Sequence, residues 1–242
     1  MSIESAVDHV LKDLRAAATK SGRAPESVTL VAVSKTKSID DMRAYAEVAR
    51  RERVRIVFGE NYVQEIREKR PQLPENSELH IIGPLQSNKV RDAALLCDVI
   101  ESVHSLKVLG LVAKEAARLG KRQRILLQVN IGQDENKSGF SVEALGEALE
   151  VCAAYSHAIQ LEGLMTILPY DENPEASRPY FKAMAALRAE LIARSKADVF
   201  HNSTIALSMG MSHDFHIAIE EGADLVRVGT VSYTHLTLPT KA

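Results

Sequence analysis

The sequence predicts one α/β domain, a closed (β/α)8 TIM barrel with an extra N-terminal helix. Short apolar runs typical of buried parallel strands alternate with amphipathic helical patterns along the chain. Eight such strand and helix units fit into 242 residues, close to the usual size of this barrel. A doubly wound open sheet is the alternative, and the number of strands separates the two folds.

The elements follow one another without a recognisable linker or low-complexity segment. The opening helix is indicated by an apolar stripe made of Ile3, Val7, Val10, Leu11 and Leu14. Strands are predicted at 29–34, 55–58, 79–82, 98–101, 124–129, 160–166, 205–208 and 225–228. Helices are predicted between them at 39–51, 61–69, 87–96, 106–119, 142–155, 175–195 and 213–221.

Composition and charge narrow the class of protein. Hydrophobic residues make up 45% and charged residues 26% of the chain, and the net charge is −2 without a basic block. This balance is typical of a globular domain and argues against a nucleic-acid partner. The charged, amphipathic beginning and the absence of a long apolar run predict a cytoplasmic protein with no membrane partner. Cys97 and Cys152 lie in apolar stretches, so we expect buried, inert thiols.

Polar residues and glycines gather directly after the predicted strands, where barrel active sites are built. Lys35 follows the first strand, so a rigid element holds its amine beside an apolar interior. Desolvation there would favour the neutral amine, which attacks aldehydes to form a Schiff base. The alternative for this segment alone is a solvated lysine at a strand end.

The last two strand ends resemble a phosphate site. Barrel phosphate sites are usually made by the loops after strands 7 and 8, which here contain Ser208, Met209, Gly210, Met211 and Ser212, and then Gly229 and Thr230. Glycines let backbone N–H groups approach an anion, and hydroxyls add donors. Each loop alone could equally be an ordinary connection. A reactive lysine with a phosphate site suggests two ligands, pyridoxal 5′-phosphate (PLP) or a sugar phosphate handled by an aldolase.

A string of motifs resolves this choice through resemblance. The chain resembles the pyridoxal phosphate homeostasis protein family, single-domain barrels related to the cofactor domain of alanine racemase. The matching segments are 31–36, 58–65, 80–89, 129–130, 136–140, 163–167, 207–212 and 226–230. The resemblance implies a PLP-binding domain at 1–230. The tail at 231–242 departs from the family pattern and is not expected to be native to it.

The resemblance also implies roles for single residues. Lys35 would hold PLP as a Schiff base, and the phosphate would contact Ser208, Gly210, Gly229 and Thr230. Asn61 would lie near the ring, and Arg227 near the ring nitrogen or the phosphate. An arginine at that nitrogen would keep it unprotonated and weaken the ring as an electron sink. Met165 and Met209 complete the predicted set of cofactor contacts.

These roles favour a monomeric PLP carrier that takes part in vitamin B6 homeostasis and passes PLP to apo-enzymes. The alternative is a PLP-dependent racemase or decarboxylase. Such an enzyme needs a second acid or base opposite Lys35, and no tyrosine or cysteine at a strand end offers one. Because the chain ends just after strand 8, we also expect no second domain.

Other titratable residues receive weaker roles from the sequence alone. His213, Asp214 and His216 lack a third ligand at suitable spacing, so we expect no metal. His80 lies within a strand and is expected in the core. The remaining candidates are His104, which could contribute to the site, and Glu60 and Glu135. These two glutamates could be general bases, but we expect them to be solvated loop carboxylates.

Overall fold

The computed structural model describes residues 2–134 and 137–229, in which eight parallel strands close into a barrel in sequence order. The strands are β1 (Thr29–Val33), β2 (Ile56–Glu60), β3 (Ser77–Ile81), β4 (Val99–Val103), β5 (Gln123–Gln128), β6 (Ile159–Met165), β7 (Ala206–Met211) and β8 (Leu225–Val228). Strand β1 pairs with both β2 and β8, which closes the barrel. The predicted fold is confirmed.

Within the described ranges, eight α-helices accompany these strands. They are α1 (Ile3–Lys20), α2 (Ile39–Arg51), α3 (Val63–Lys69), α4 (Val90–Leu96), α5 (Leu106–Arg118), α6 (Leu145–Ala154), α7 (Arg178–Ala193) and α8 (Phe215–Glu220). Short 3-10 turns at Ser87–Lys89 and Pro174–Ser177 lead into α4 and α7. All predicted helices are therefore present, with bounds shifted by a few residues.

Two differences between the predicted and the observed bounds, one in a strand and one in a helix, change the surroundings of the predicted site. Strand β7 extends to Met211, so Ser208 and Gly210 lie within the strand and not in the loop after it. Helix α3 begins at Val63 because the backbone of Tyr62 is extended, with φ −124° and ψ 126°. The connection from β2 to α3 therefore contains an extended residue, Tyr62, at the carboxyl end of the barrel.

Side chains alternate between the barrel interior and the layer under the helices. On β1, Leu30 and Ala32 pack in the large core between barrel and helices. Val31 packs inside the barrel with Val57 and Ile82. Because side chains alternate along a strand, the inward series that begins at Val31 continues through residue 33 to residue 35. This register directs position 35 toward the carboxyl-end opening of the barrel.

The N-terminal helix packs on the outside of the barrel. Helix α1 contacts α2 and α8, and its buried face includes Val7, Leu11 and Leu14. Ser2 caps the helix by accepting a hydrogen bond of 3.2 Å from the backbone N–H of Ser5. The predicted apolar stripe is confirmed, and it covers the barrel near the junction of β8 with β1.

The two cysteines and the hydropathy of the helices agree with the sequence analysis. Cys97 and Cys152 are buried and unpaired, and burial raises the pKa of each thiol to about 12. Thiols with so high a pKa are unreactive near neutral pH. Across the described ranges, none of the helices combines the length and the apolar character needed to cross a bilayer.

Candidate functional site

A cavity of about 330 Å³ opens at the carboxyl ends of the strands. Its size is that of a small-molecule site, and its position is where barrel enzymes bind their ligands. Apolar side chains and a small number of polar groups share its lining: Val33, Lys35, Asn61, Ile82, Gly83, Pro84, Ile167, Met211, Ser212, Arg227 and Gly229. Four of the predicted site residues, Lys35, Asn61, Arg227 and Gly229, are thus brought together.

Lys35 lies just beyond β1 and lines this cavity with an exposed side chain. Within residues 2–134 and 137–229, its amine makes no hydrogen bond and no ion pair. The burial that we expected for this lysine is therefore not observed. The structure instead places at the cavity wall a primary amine that has no partner among the described residues.

Arg227 is a buried cation at the inner end of the cavity. It donates hydrogen bonds of 2.7 Å to the hydroxyl of Ser208 and 2.7 Å to the carbonyl oxygen of Thr166. The hydroxyl of Ser208 donates to Glu101 Oε2 at 2.6 Å. Burial lowers the pKa of Arg227 below the ordinary arginine value, but an arginine remains charged near neutral pH.

A buried contact between His80 and Glu101 continues this chain through the barrel interior. His80 Nδ1 lies 2.6 Å from Glu101 Oε1, and both side chains are buried. Burial opposes the charged form of His80, but the carboxylates of Glu101 and Glu78 outweigh it and raise the pKa of His80. Burial also opposes ionisation of Glu101, yet His80 and Arg227 hold the pKa of Glu101 below its usual value. The core position predicted for His80 is confirmed.

The predicted phosphate end is only partly formed by the residues we expected. The backbone N–H of Gly229 donates to the hydroxyl of Ser212 at 3.1 Å, and both residues line the cavity. Ser208 lies deeper, with its hydroxyl already bonded to Glu101 and Arg227. Thr230 lies outside the described residues, so its predicted phosphate contact stays a prediction, as does that of Ser208.

Gly210 and Met209 belong to the packing between β7 and the helices. Gly210 has φ +89°, and a Cβ there would lie 2.5 Å from Cβ of Ala218 and 3.0 Å from Cα of Phe215. A glycine is therefore required for α8 to approach β7 closely. The side chain of Met209 is fully buried in the core under the helices. Contacts of either residue with a cofactor stay predictions.

Met165 and Asn61 take different positions relative to the cavity. Met165 is buried inside the barrel with Val99 and Leu126, one layer below Ile167. Asn61 lies at the rim, and Gly83 passes so close that a Cβ there would lie 2.5 Å from the carbonyl oxygen of Asn61. The glycine at position 83 thus allows the β3 loop to come against the β2 loop.

Sequence reasoning missed one polar and several apolar contributors to the cavity. Ser212 was not among the predicted cofactor contacts, although it ends the same motif that contains Ser208 and Gly210. The apolar lining residues Val33, Ile82, Ile167 and Met211 carry no sequence signal of their own. Only the inward register of the strands could have identified them.

The carboxylate of Glu60 was predicted to be solvated, and this prediction was wrong. Glu60 ends β2, is fully buried and accepts hydrogen bonds from Ser34 Oγ at 2.7 Å and Lys69 Nζ at 2.8 Å. The reason is the register of β2, which turns the residue away from the cavity and under α3. Glu135, predicted to be solvated as well, lies outside the described residues.

The histidines considered for the site do not line the cavity. His104 Nδ1 lies 3.1 Å from the carbonyl oxygen of Ser102, and His104 is not part of the cavity lining. Asp214 accepts hydrogen bonds from Ser177 Oγ at 2.8 Å and from the backbone N–H of Met211 at 2.7 Å. In the described ranges, no group of three or more side chains is arranged to hold a metal ion.

Comparison with known proteins agrees with this fold and cavity. Residues 5–236 match the family described as alanine racemase, N-terminal domain. The pyridoxal phosphate homeostasis protein of Aquifex aeolicus is 37% identical over 231 residues, covering 94% of this chain and 95% of the relative. This chain belongs to the pyridoxal phosphate homeostasis protein family, as its motifs indicated.

Solved structures of a relative support the same assignment. PipY of Synechococcus elongatus, solved without PLP, is 33% identical with a TM-score of 0.75, covering 90% of this chain and 97% of PipY. The structure of PipY with PLP bound is 31% identical with a TM-score of 0.74 and the same coverage. The family therefore includes a barrel of this kind with PLP in place.

Proposed function

We propose that this protein binds PLP in the cavity at the carboxyl ends of the strands and serves PLP homeostasis. Lys35 would hold the cofactor as a Schiff base, and the protein would not convert amino acids. The observation that carries this proposal is the unpartnered amine of Lys35 in the same cavity as Ser212, Gly229 and Arg227. The names of the relatives and the PLP bound to PipY support it.

The donors and apolar groups of the cavity suit the chemistry of PLP. Its phosphate requires polar donors, and at one end of the cavity the hydroxyl of Ser212, which accepts from the N–H of Gly229, can donate to it. Its aromatic ring requires apolar surface, which Val33, Ile82 and Ile167 provide. Its aldehyde requires a primary amine. The neutral amine of Lys35 would add to the aldehyde carbon, so that a C=N bond replaces the C=O bond and one water leaves.

Arg227 supports a carrier role over a catalytic one. A guanidinium near the pyridine nitrogen disfavours protonation of that nitrogen, and an unprotonated ring withdraws electrons poorly. The hydrogen bonds to Ser208 and Thr166 hold the Arg227 cation in place. We propose that Arg227 faces the ring nitrogen or the phosphate and that it limits reactions at the bound amino group.

The titratable groups of the cavity also favour a carrier. Among the lining residues that the structure describes, Lys35 and Arg227 are the only ones with titratable side chains. A racemase or decarboxylase needs a second acid or base that reaches the substrate carbon. An arginine remains charged near neutral pH and is a poor proton donor there. The alternative of an amino-acid-converting enzyme is therefore the weaker proposal.

We also propose an oligomeric state, a compartment and a recipient of PLP for this protein. The exposed large apolar side chains of the described part are scattered single residues, among them Leu95, Tyr170 and Ile192, which supports a monomer. Two free thiols support a reducing compartment, the cytoplasm. A Schiff base is reversible, so PLP could pass to apo-enzymes. We propose that residues 1–230 form one PLP-binding domain for this task.

A transfer and turnover experiment tests the carrier role. The protein loaded with PLP is incubated with common amino acids and, separately, with an apo-enzyme that requires PLP. We expect no racemisation, decarboxylation or transamination above the rate of free PLP, while the apo-enzyme regains activity. Turnover clearly above the background that is lost in Lys35→Ala would contradict the carrier role and favour the enzyme.

A further inference from the structure

The backbone around Lys35 is tied to a partly buried cluster beneath α3, which we call the Lys69 cluster. It consists of Ser34, Thr36, Glu60, Glu65 and Lys69. Lys69 is the last residue of α3, and its side chain is buried. None of these five residues lines the cavity, but the cluster adjoins two residues that do, Lys35 beside Ser34 and Asn61 beside Glu60.

The ammonium of Lys69 uses all three of its N–H donors. Nζ donates to the carbonyl oxygen of Ser34 at 2.7 Å, to Glu60 Oε1 at 2.8 Å and to Glu65 Oε2 at 2.7 Å. Burial opposes the charge on Lys69, but the two carboxylates outweigh it and raise the pKa of Lys69. The cluster thus holds a permanent cation with every donor satisfied.

These contacts reach the peptide groups on both sides of Lys35. The carbonyl of Ser34 belongs to the peptide before Lys35 and is bound directly by Nζ of Lys69. The N–H of Thr36 belongs to the peptide after Lys35 and donates to Glu65 Oε2 at 2.7 Å, the oxygen that also accepts from Lys69. Because each peptide group is planar, fixing both restricts the two backbone dihedrals of Lys35.

The backbone that is held in this way is an unusual one. Thr36 has φ +60°, a conformation that a β-branched residue rarely adopts. Such a conformation persists only where the surroundings impose it. Two contacts hold it here: the bond from the N–H of Thr36 to Glu65, and a bond of 3.0 Å from the backbone N–H of Lys37 to the carbonyl oxygen of Ser34. The sharp turn after Lys35 is therefore held by the cluster together with a local backbone hydrogen bond.

We propose that Lys69 is a positioning residue for Lys35: through Ser34 and Glu65, its buried ammonium fixes the backbone from which the Lys35 amine enters the cavity. This inference rests on the proposed function, since the amine has to meet the aldehyde of PLP. The Lys69 cluster would favour formation of the Schiff base between Lys35 and PLP without contacting PLP itself. Binding of the ring and the phosphate would not depend on it.

The test compares two ligands that differ only in the group that Lys35 attacks. PLP has an aldehyde, whereas pyridoxine 5′-phosphate has an alcohol at that position and cannot form a Schiff base. Dissociation constants of both are measured for the wild type, Lys69→Met and Glu65→Ala, together with the absorption band of the Schiff base. We expect Lys69→Met to weaken the binding of PLP at least about tenfold and the binding of pyridoxine 5′-phosphate less than about twofold. Glu65→Ala should act in the same direction.

Arg15→Met is the matched control. Arg15 on α1 is also a partly buried cation, bonded to the carboxylate and the carbonyl oxygen of Glu52 at the end of α2, and neither residue lines the cavity. This variant should lose stability without changing the ratio of the two dissociation constants. If Lys69→Met does not fold, as judged by circular dichroism, Glu65→Ala carries the test, because Glu65 is partly exposed.

The outcomes separate this inference from the proposed function. Equal weakening of both ligands by Lys69→Met or Glu65→Ala would show a merely structural cluster and overturn the inference. Unchanged PLP binding in the folded variants would overturn it as well. If the wild type itself formed no Schiff base with PLP, the proposed function would fail first, whatever the variants did.

Discussion

Arg227 on β8 donates a hydrogen bond of 2.7 Å to the hydroxyl of Ser208 on the neighbouring strand β7. Through that hydroxyl, a cation that lines the cavity is connected to the buried carboxylate of Glu101. Glu101 in turn pairs with His80. The position of the charge at the inner end of the cavity is therefore set by residues in the barrel interior, and their ionisation affects stability.

The pair of His80 and Glu101 predicts a pH-dependent contribution to stability. Because the pKa of His80 is raised on folding, its contribution is complete below the unfolded pKa of about 6.5 and is lost as the pH rises through the folded pKa. We expect His80→Gln to lower the free energy of unfolding by roughly 1–3 kcal/mol at about pH 6 and by less at about pH 9. Urea unfolding of the wild type and the variant at the two pH values measures the difference in free energy of unfolding. The same difference at both pH values would exclude an ionised pair.

The phosphate end of the cavity predicts a selective loss of affinity. Ser212→Ala removes a hydroxyl beside the N–H of Gly229 and should weaken PLP by about tenfold to a hundredfold. Pyridoxal, which lacks the phosphate, should bind almost unchanged. We expect Thr230→Val to weaken PLP binding in the same way, because Thr230 belongs to the family motif assigned to the phosphate. Fluorescence titration with both ligands measures the effect, and similar losses for the two would mean that these residues support the loop.

Gly210 predicts a loss of stability from its close approach to α8. Gly210→Ala places a methyl group 2.5 Å from Cβ of Ala218 at φ +89°, so we expect it to destabilise the fold by roughly 2–4 kcal/mol. Gly110→Ala is the control, since Gly110 lies inside α5 with nothing within 4 Å of the added Cβ. That change should stabilise by about 0.5–1 kcal/mol. Thermal unfolding compares the two, and a neutral Gly210→Ala would contradict the packing assigned to Gly210.

The sequence predicts the barrel well because strand and helix patterns are local. The apolar run before Lys35 sets β1, and the inward register of that strand directs Lys35 toward the cavity. The extent of β7 could not be predicted, because its last residues pair with β8, as Met211 does with Arg227. Gly210 was consequently expected in a loop, whereas it lies within β7.

The surroundings of Lys35 could not be predicted from the sequence for a related reason. Glu60 and Lys69 meet because α3 folds back against the end of β2, and neither residue signals this contact on its own. A glutamate after a strand is usually solvated, so its burial depends on a partner that only the tertiary structure provides. Ser212, by contrast, could have been predicted as a cofactor contact, because it is the last residue of a motif already assigned to the phosphate.

Trapping of the cofactor tests the central claim most directly. The purified protein is saturated with PLP, reduced with borohydride and digested, and the modified peptide is identified by mass spectrometry. Reduction converts a Schiff base into a stable secondary amine on the lysine that formed it. We predict that the absorption band of the Schiff base disappears and that the label lies on Lys35, with no label in Lys35→Ala. A label on Lys37 or Lys137, or an unlabelled protein, would contradict the account.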